Sequence, residues 1–258
     1  MSMQQMGRAA GVIEATGRNG SSPPATHLGG HAAYQTHNAG QRLWPFEHLS
    51  VDELFPPEQY DELHSRLPSD AAYTSSPNGR YPERGRVMLL GADGDELDQL
   101  AGDAAEFWRG VSASLFDRVF LEALAQRFCP GLTQRVLKEC WVHAFLCRDR
   151  GGYAISPHTD TSRKLITGVI YLAEPGSACD PANGTCLCVP DDPSRYSFDT
   201  PHTGSWEGTS VVSTAPYRAN AMLAFLVSDR SLHGVRPTPA GMPRDTLQFS
   251  LMRPEGSA

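Results

Sequence analysis

Between residues 135 and 252 the chain is written as short apolar segments: 135–148, 153–158, 164–172, 185–189, 209–214, 221–228, 232–237 and 244–252. As a set they are rich in Val, Ile, Leu, Phe and Thr, and the stretches that separate them contain Gly, Pro and Asp. Segments of this length and composition read as strands, because helices need longer runs with a 3.6-residue period. Alternation assigns their faces. In 164–172, Thr167, Val169 and Tyr171 point one way, and Ile166, Gly168, Ile170 and Leu172 the other. In 244–252, Arg244, Thr246, Gln248 and Ser250 share a polar face opposite Leu247, Phe249 and Leu251. Such a face either meets water or looks into a barrel that binds a polar ligand. Eight strands behind a helical N-terminal part predict a mainly β protein with flanking helices (α+β), built on a jelly roll or related barrel.

The N-terminal part carries less information. Residues 1–40 are rich in Gly, Ala, Ser, Asn and Gln and read as a flexible tail before a single domain over 41–258. The tail histidines His27, His31 and His37 are expected in solvent. Residues 43–49 read as extended, and Pro57 suits the first turn of a helix ending before Pro68. A helical block is expected over 102–128, with Phe116, Val119, Phe120, Leu124 and Phe128 on its core face. The stretch 173–208, rich in Pro, Gly, Asp and Ser, is expected to cover the site as a lid.

Charge and length exclude several classes. A net charge of −7 over 258 residues argues against a nucleic-acid surface, which needs clustered basic residues. No run approaches the roughly 20 apolar residues of a membrane span. The first residues lack the apolar core of a secretory signal, so a cytoplasmic location is expected. Cys179, Cys186 and Cys188 lack the paired C-x2-C spacing of zinc sites and are expected to be reduced thiols.

Chemistry concentrates in two places. The triplet His158-Thr159-Asp160 interrupts the strand pattern and puts an imidazole and a carboxylate on one side of an extended chain. Alone it is a weak signal. His233 follows the apolar segment 221–228 and is the second imidazole. Two histidines and one carboxylate form the facial set that holds non-haem Fe(II) with positions open for ligands. Arg244 then offers a planar fork suited to a carboxylate.

The series His158-Thr-Asp160, His233-Gly-Val and Arg244, in the text "GYAISPHTD…LITGVIYL…GTCLC…NAMLAF…HGVRP…R", resembles the Fe(II)/2-oxoglutarate-dependent oxygenases, prolyl-hydroxylase-like branch. It covers about 136–252, nearly half the chain. The resemblance implies a double-stranded β-helix (jelly-roll or cupin-like) core, with His158, Asp160 and His233 as iron ligands and Arg244 on the distal carboxylate of 2-oxoglutarate. It implies that Tyr171 and Thr246 assist at that carboxylate. It further implies consumption of O2 and 2-oxoglutarate with release of succinate and CO2, with ascorbate as a stimulant. Retention of Asp160, where halogenating relatives have a small residue, favours hydroxylation, with desaturation and ring formation open because they use the same ligands. Serine stands at position 250, where nucleic-acid demethylating relatives carry a second arginine. The expected substrate is a small molecule, a secondary metabolite or amino-acid derivative, free or carrier-bound. A prolyl-type peptidyl hydroxylase, a non-catalytic jelly-roll binding module and a zinc hydrolase are the competing readings. Whether the chain forms a homodimer is left open.

Overall fold

The computed structural model describes residues 28–75, 81–92, 94–199 and 205–254. Its N-terminal part contains α1 (Leu28–Asn38), β1 (Gln41–Arg42), β2 (His48–Val51), α2 (Pro57–Ser65), β3 (Thr74–Ser75) and β4 (Arg84–Leu90). Three helices follow: α3 (Ala104–Leu115), α4 (Arg118–Phe128) and α5 (Thr133–Glu139). The rest is strand: β5 (Trp141–Asp149), β6 (Ile155–His158), β7 (Lys164–Tyr171), β8 (Asp180–Pro190), β9 (Thr209–Tyr217), β10 (Ala221–Leu226), β11 (His233–Val235) and β12 (Arg244–Met252). An eight-stranded sheet has the order β1-β2-β10-β7-β12-β5-β4-β3, and a four-stranded sheet has the order β6-β11-β8-β9. From β5 onward the chain winds between the two sheets, with antiparallel pairing throughout. This is a double-stranded β-helix whose large sheet is extended at both edges by the N-terminal strands, β1 and β2 on one and β4 and β3 on the other.

Alternation decides what each face of the large sheet buries. Leu146, Ile166, Ile170, Leu247, Phe249 and Leu251 face outward and form one core with Trp108, Leu115, Phe120 and Leu124 of the helices. Each such buried side chain contributes about 1.5–3 kcal/mol relative to exposure. Gly168 is needed there: a Cβ would lie 2.2 Å from Cζ of Phe249, whose ring meets Phe116 and Phe120 edge-on. The inner face meets the small sheet through Val169, Tyr171, Leu187, Leu223 and Phe225.

Register places polar inner-face residues in rows across the large sheet. Arg84 lies opposite Asp149, and Asp149 opposite Arg244. One row along, Cys147 lies opposite Thr246 and Thr246 opposite Tyr171. Phe145, Gln248 and Val169 form the next row, and His143, Ser250 and Thr167 the last. The polar face of β12 therefore looks into the barrel.

Several expectations need correction. Residues 28–38, expected within a flexible tail, are helical, with Leu28, Ala32, Ala33 and Thr36 buried. Small residues let α1 approach its neighbours closely: a Cβ on Gly29 would lie 2.3 Å from Oδ1 of Asp117. His31 does not sit free in solvent, since its Nδ1 lies 2.9 Å from the Leu54 carbonyl oxygen. Residues 1–27, with His27, lie outside the described residues.

The block 102–128 is two helices. Asp117 caps the second by accepting from the Phe120 backbone N–H at 3.0 Å, and Val119 turns outward. The segment 135–148 begins as α5, and the strand starts only at Trp141. Within 43–49, Leu43 and Trp44 are exposed, and the strand begins at His48. The stretch 173–208 is not one long cover, because β8 runs through it as a full strand of the small sheet. No helix among the described residues is long and apolar enough to cross a membrane.

Candidate active site

His158 ends β6 and His233 begins β11, and the pairing of those strands sets the two residues directly opposite each other. Their ring centroids are 4.3 Å apart. Asp160 follows on the chain leaving β6, and one ligand atom from each of the three residues lies within 4.8 Å of the others. All three side chains are buried. The strands come this close because residue 234 is glycine: a Cβ there would lie 2.8 Å from the Ile155 carbonyl oxygen.

The imidazoles are fixed in one tautomer. Nδ1 of His158 lies 3.0 Å from the Ser156 carbonyl oxygen, and Nδ1 of His233 lies 2.9 Å from that of Ser231. A carbonyl oxygen only accepts, so each Nδ1 carries the proton and each Nε2 presents its lone pair to the cluster. Burial lowers the His233 pKa further, which favours the neutral, ligating form.

Asp160 is held from both sides. Its Oδ1 accepts from Lys164 Nζ at 2.7 Å, and its Oδ2 accepts from Thr167 Oγ1 at 2.7 Å. Burial pushes its pKa up, but the Lys164 ammonium and the two imidazoles outweigh it and hold the carboxyl well below the usual range. Two neutral nitrogens and one ionised carboxylate on one side of a cavity match the donor set that suits Fe(II).

The cluster lies in the wall of a cavity of about 540 Å³, which also reaches Arg84, Arg86, Tyr153, Arg244 and Gln248. Arg244 is buried. Its Nε donates to the Asn183 carbonyl oxygen at 2.7 Å, Nη1 to Asp149 Oδ2 at 2.9 Å, and Nη2 to Thr185 Oγ1 at 3.3 Å. These contacts do not exhaust its N–H donors. Asp149 is fully buried and also accepts from Nε and Nη2 of Arg84, so one carboxylate serves two guanidiniums. Burial alone would lower the Arg84 pKa, but Asp149 raises it and keeps the group charged. The arrangement leaves one positive charge uncompensated at the cavity.

Tyr171 and Thr246 sit elsewhere than at the cavity wall. The Tyr171 hydroxyl donates to Thr185 Oγ1 at 2.8 Å, one hydrogen bond removed from Arg244. The Thr246 hydroxyl is buried and accepts from Gln248 Nε2 at 3.2 Å. Gln248, one alternation further along β12, faces the cavity instead. Arg148 and Arg150, close to the motif in sequence, pair with Asp245 and Asp70 and do not line it. Cys186 and Cys188 are buried thiols in β8, and Cys179 is exposed.

Sequence reasoning missed Arg84, Asp149 and Thr185. A usable signal exists for the first: Arg84 and Arg86 alternate at the head of the apolar run that becomes β4.

Comparison with protein-family models gives no match, and comparison with curated proteins gives none. Solved structures do match. HygX from Streptomyces hygroscopicus, with nickel and 2-oxoglutarate bound, is 14% identical with a TM-score of 0.46, covering 81% of this chain and 83% of its own. A Pseudomonas putida prolyl-4-hydroxylase is 16% identical with a TM-score of 0.44, covering 88% of this chain and 98% of its own. An oxidoreductase of the 2OG-Fe(II) oxygenase family from Burkholderia pseudomallei is 16% identical with a TM-score of 0.48, covering 91% and 94%.

Proposed function

We propose that this protein is an Fe(II)- and 2-oxoglutarate-dependent oxygenase that hydroxylates an unactivated C–H bond of a small molecule. One observation carries the reading: a buried His158–Asp160–His233 cluster with tautomers fixed for metal binding shares a cavity with the buried guanidinium of Arg244. His158 and His233 would hold iron through Nε2 and Asp160 through a carboxylate oxygen. Arg244 would receive the distal carboxylate of 2-oxoglutarate, with Thr185 and Tyr171 fixing the orientation of its fork. Iron held there would supply O2 activation, with 2-oxoglutarate as the two-electron reductant that would leave as succinate and CO2, one oxygen atom going to succinate and the other to the substrate.

This chain's residues hold and shield the reactants. Thr167 and Lys164 keep Asp160 ionised and aimed. Arg84 and Asp149 hold Arg244 against the sheet. The cavity volume falls in the range that encloses small molecules, about 300–1,000 Å³, which favours them over a folded protein partner.

The test is succinate formation from 2-oxoglutarate with Fe(II), ascorbate and air, in the parent and in His233→Ala. Slow succinate release by the parent, lost in the variant, is expected. No succinate with any small molecule tried would leave a non-catalytic metal- or acid-binding module as the better account.

A further inference from the structure

We infer that the substrate carries a carboxylate, received by Arg86 and Tyr153 on the β4 side of the cavity. The inference rests on the oxygenase reading and narrows its substrate class.

Arg84 and Arg86 project from the same face of β4, yet their partners differ. Arg84 lies opposite Asp149 and gives it two N–H groups. Arg86 lies opposite Cys147, and among the described residues no carboxylate pairs with it. Its Nε is buried with no hydrogen-bond partner among the described residues, and its Cζ lies 5.3 Å from the centre of the Phe145 ring. An arginine whose Nε edge is unused offers the two-pronged side that fits a carboxylate.

Tyr153 supplies the second observation. Its side chain is fully buried and lines the same cavity, but its hydroxyl has no partner among the described residues. The ring is held by Arg84, whose Cζ lies 4.1 Å from its centre, and by Tyr81 edge-on at 5.8 Å. Burial raises its pKa, so it remains a donor. Native proteins rarely leave buried donors unsatisfied, and two on residues that line one cavity point to a ligand oxygen there.

Charge agrees with a monoanion. Arg84, Arg86, Lys164 and Arg244 line the cavity against Asp160 and Asp199, with Asp149 buried behind. Among the described residues, one positive charge is left over. A divalent metal and a dianionic cosubstrate cancel each other, so that single charge remains for the substrate. A carboxylate matches it, whereas a phosphate dianion would leave a charge unpaired.

The experiment uses the full chain, loaded anaerobically with Fe(II) and 2-oxoglutarate. A panel of small carboxylic acids, each paired with its primary amide, is titrated by thermal shift. Carboxylates should bind, and their amides should bind at least about 10-fold more weakly. Arg86→Gln should erase that preference while leaving the 2-oxoglutarate affinity within roughly twofold. Tyr153→Phe, which removes only an oxygen, should weaken the carboxylates roughly fivefold.

Three results would overturn the inference, provided 2-oxoglutarate binds the parent normally: no acid binding, equal binding of acids and amides, or a preference that survives Arg86→Gln. Failure of 2-oxoglutarate to bind the parent would instead overturn the oxygenase reading on which the inference rests.

Discussion

Replacing Asp149 with asparagine tests the charge arrangement at the end of the cavity. The change keeps the side-chain volume, so little cavity term enters. What it removes is the one carboxylate that faces both Arg84 and Arg244, at a position with no solvent access. Both guanidiniums are almost fully buried, and water cannot replace the lost charge. Removing one partner of a buried ion pair typically costs about 3–5 kcal/mol, a large share of the 5–15 kcal/mol that holds a typical domain together. At about 2–4 °C per kcal/mol for a chain of this size, melting should fall by roughly 6–20 °C. A dicarboxylate bound beside Arg244 would replace part of the missing charge. Added 2-oxoglutarate should therefore raise the melting temperature more in the variant than in the parent. The assay is anaerobic thermal denaturation of both proteins with Fe(II), with and without 2-oxoglutarate. An Asp149→Asn protein that melts within about 2 °C of the parent, or gains no more from 2-oxoglutarate, would refute the reasoning.

Arg244→Ala should raise the 2-oxoglutarate requirement by roughly 30- to 5000-fold, from a loss of about 2–5 kcal/mol, while iron binding persists. Arg244→Lys should recover only part of it, because a point charge cannot reproduce the fork; initial rates of succinate release against 2-oxoglutarate concentration report both. Asp160→Ala should abolish turnover and weaken Fe(II) binding by more than about 100-fold, beyond what loss of an outer-shell partner costs, with unchanged circular dichroism; full activity would remove Asp160 from the metal. Gly29→Ala should destabilise by about 1–3 kcal/mol through overpacking against Asp117 and Ser114, measured by denaturant unfolding. A neutral or stabilising result would return residues 28–38 to a loose tail.

What the sequence reveals depends on how local the signal is. Alternation in 164–172 and 244–252 is local, and both faces lie in the structure as the pattern requires. The His158–Asp160–His233 set was also legible, because two of its members are neighbours and the third heads a strand. Arg84 and Asp149 were not legible as a pair. Their meeting depends on the register of β4 against β5 and of β5 against β12, which join residues 65 and 95 positions apart.

Helix α1 escaped notice for a different reason. It buries Gly29, Ala32 and Ala33, and such small residues give no hydrophobic signal even when the contact is close. Depth was the other hidden quantity. Alternation puts Tyr171 on the inner face, but only the approach of β8 turns its hydroxyl onto Thr185. Tyr153 follows the turn at Gly151 and Gly152, where period-2 patterning says nothing about direction.

The central claim is that one cavity holds Fe(II) and 2-oxoglutarate together, and anaerobic visible spectroscopy tests it most directly. Fe(II) is added to the parent protein, 2-oxoglutarate is titrated, and the weak charge-transfer band of the metal–cosubstrate pair is followed. The account predicts a saturable band at one equivalent of each, absent in His233→Ala and displaced to much higher 2-oxoglutarate concentration in Arg244→Ala. No band in the parent, or a band that survives in His233→Ala at the parent's affinity, would contradict it.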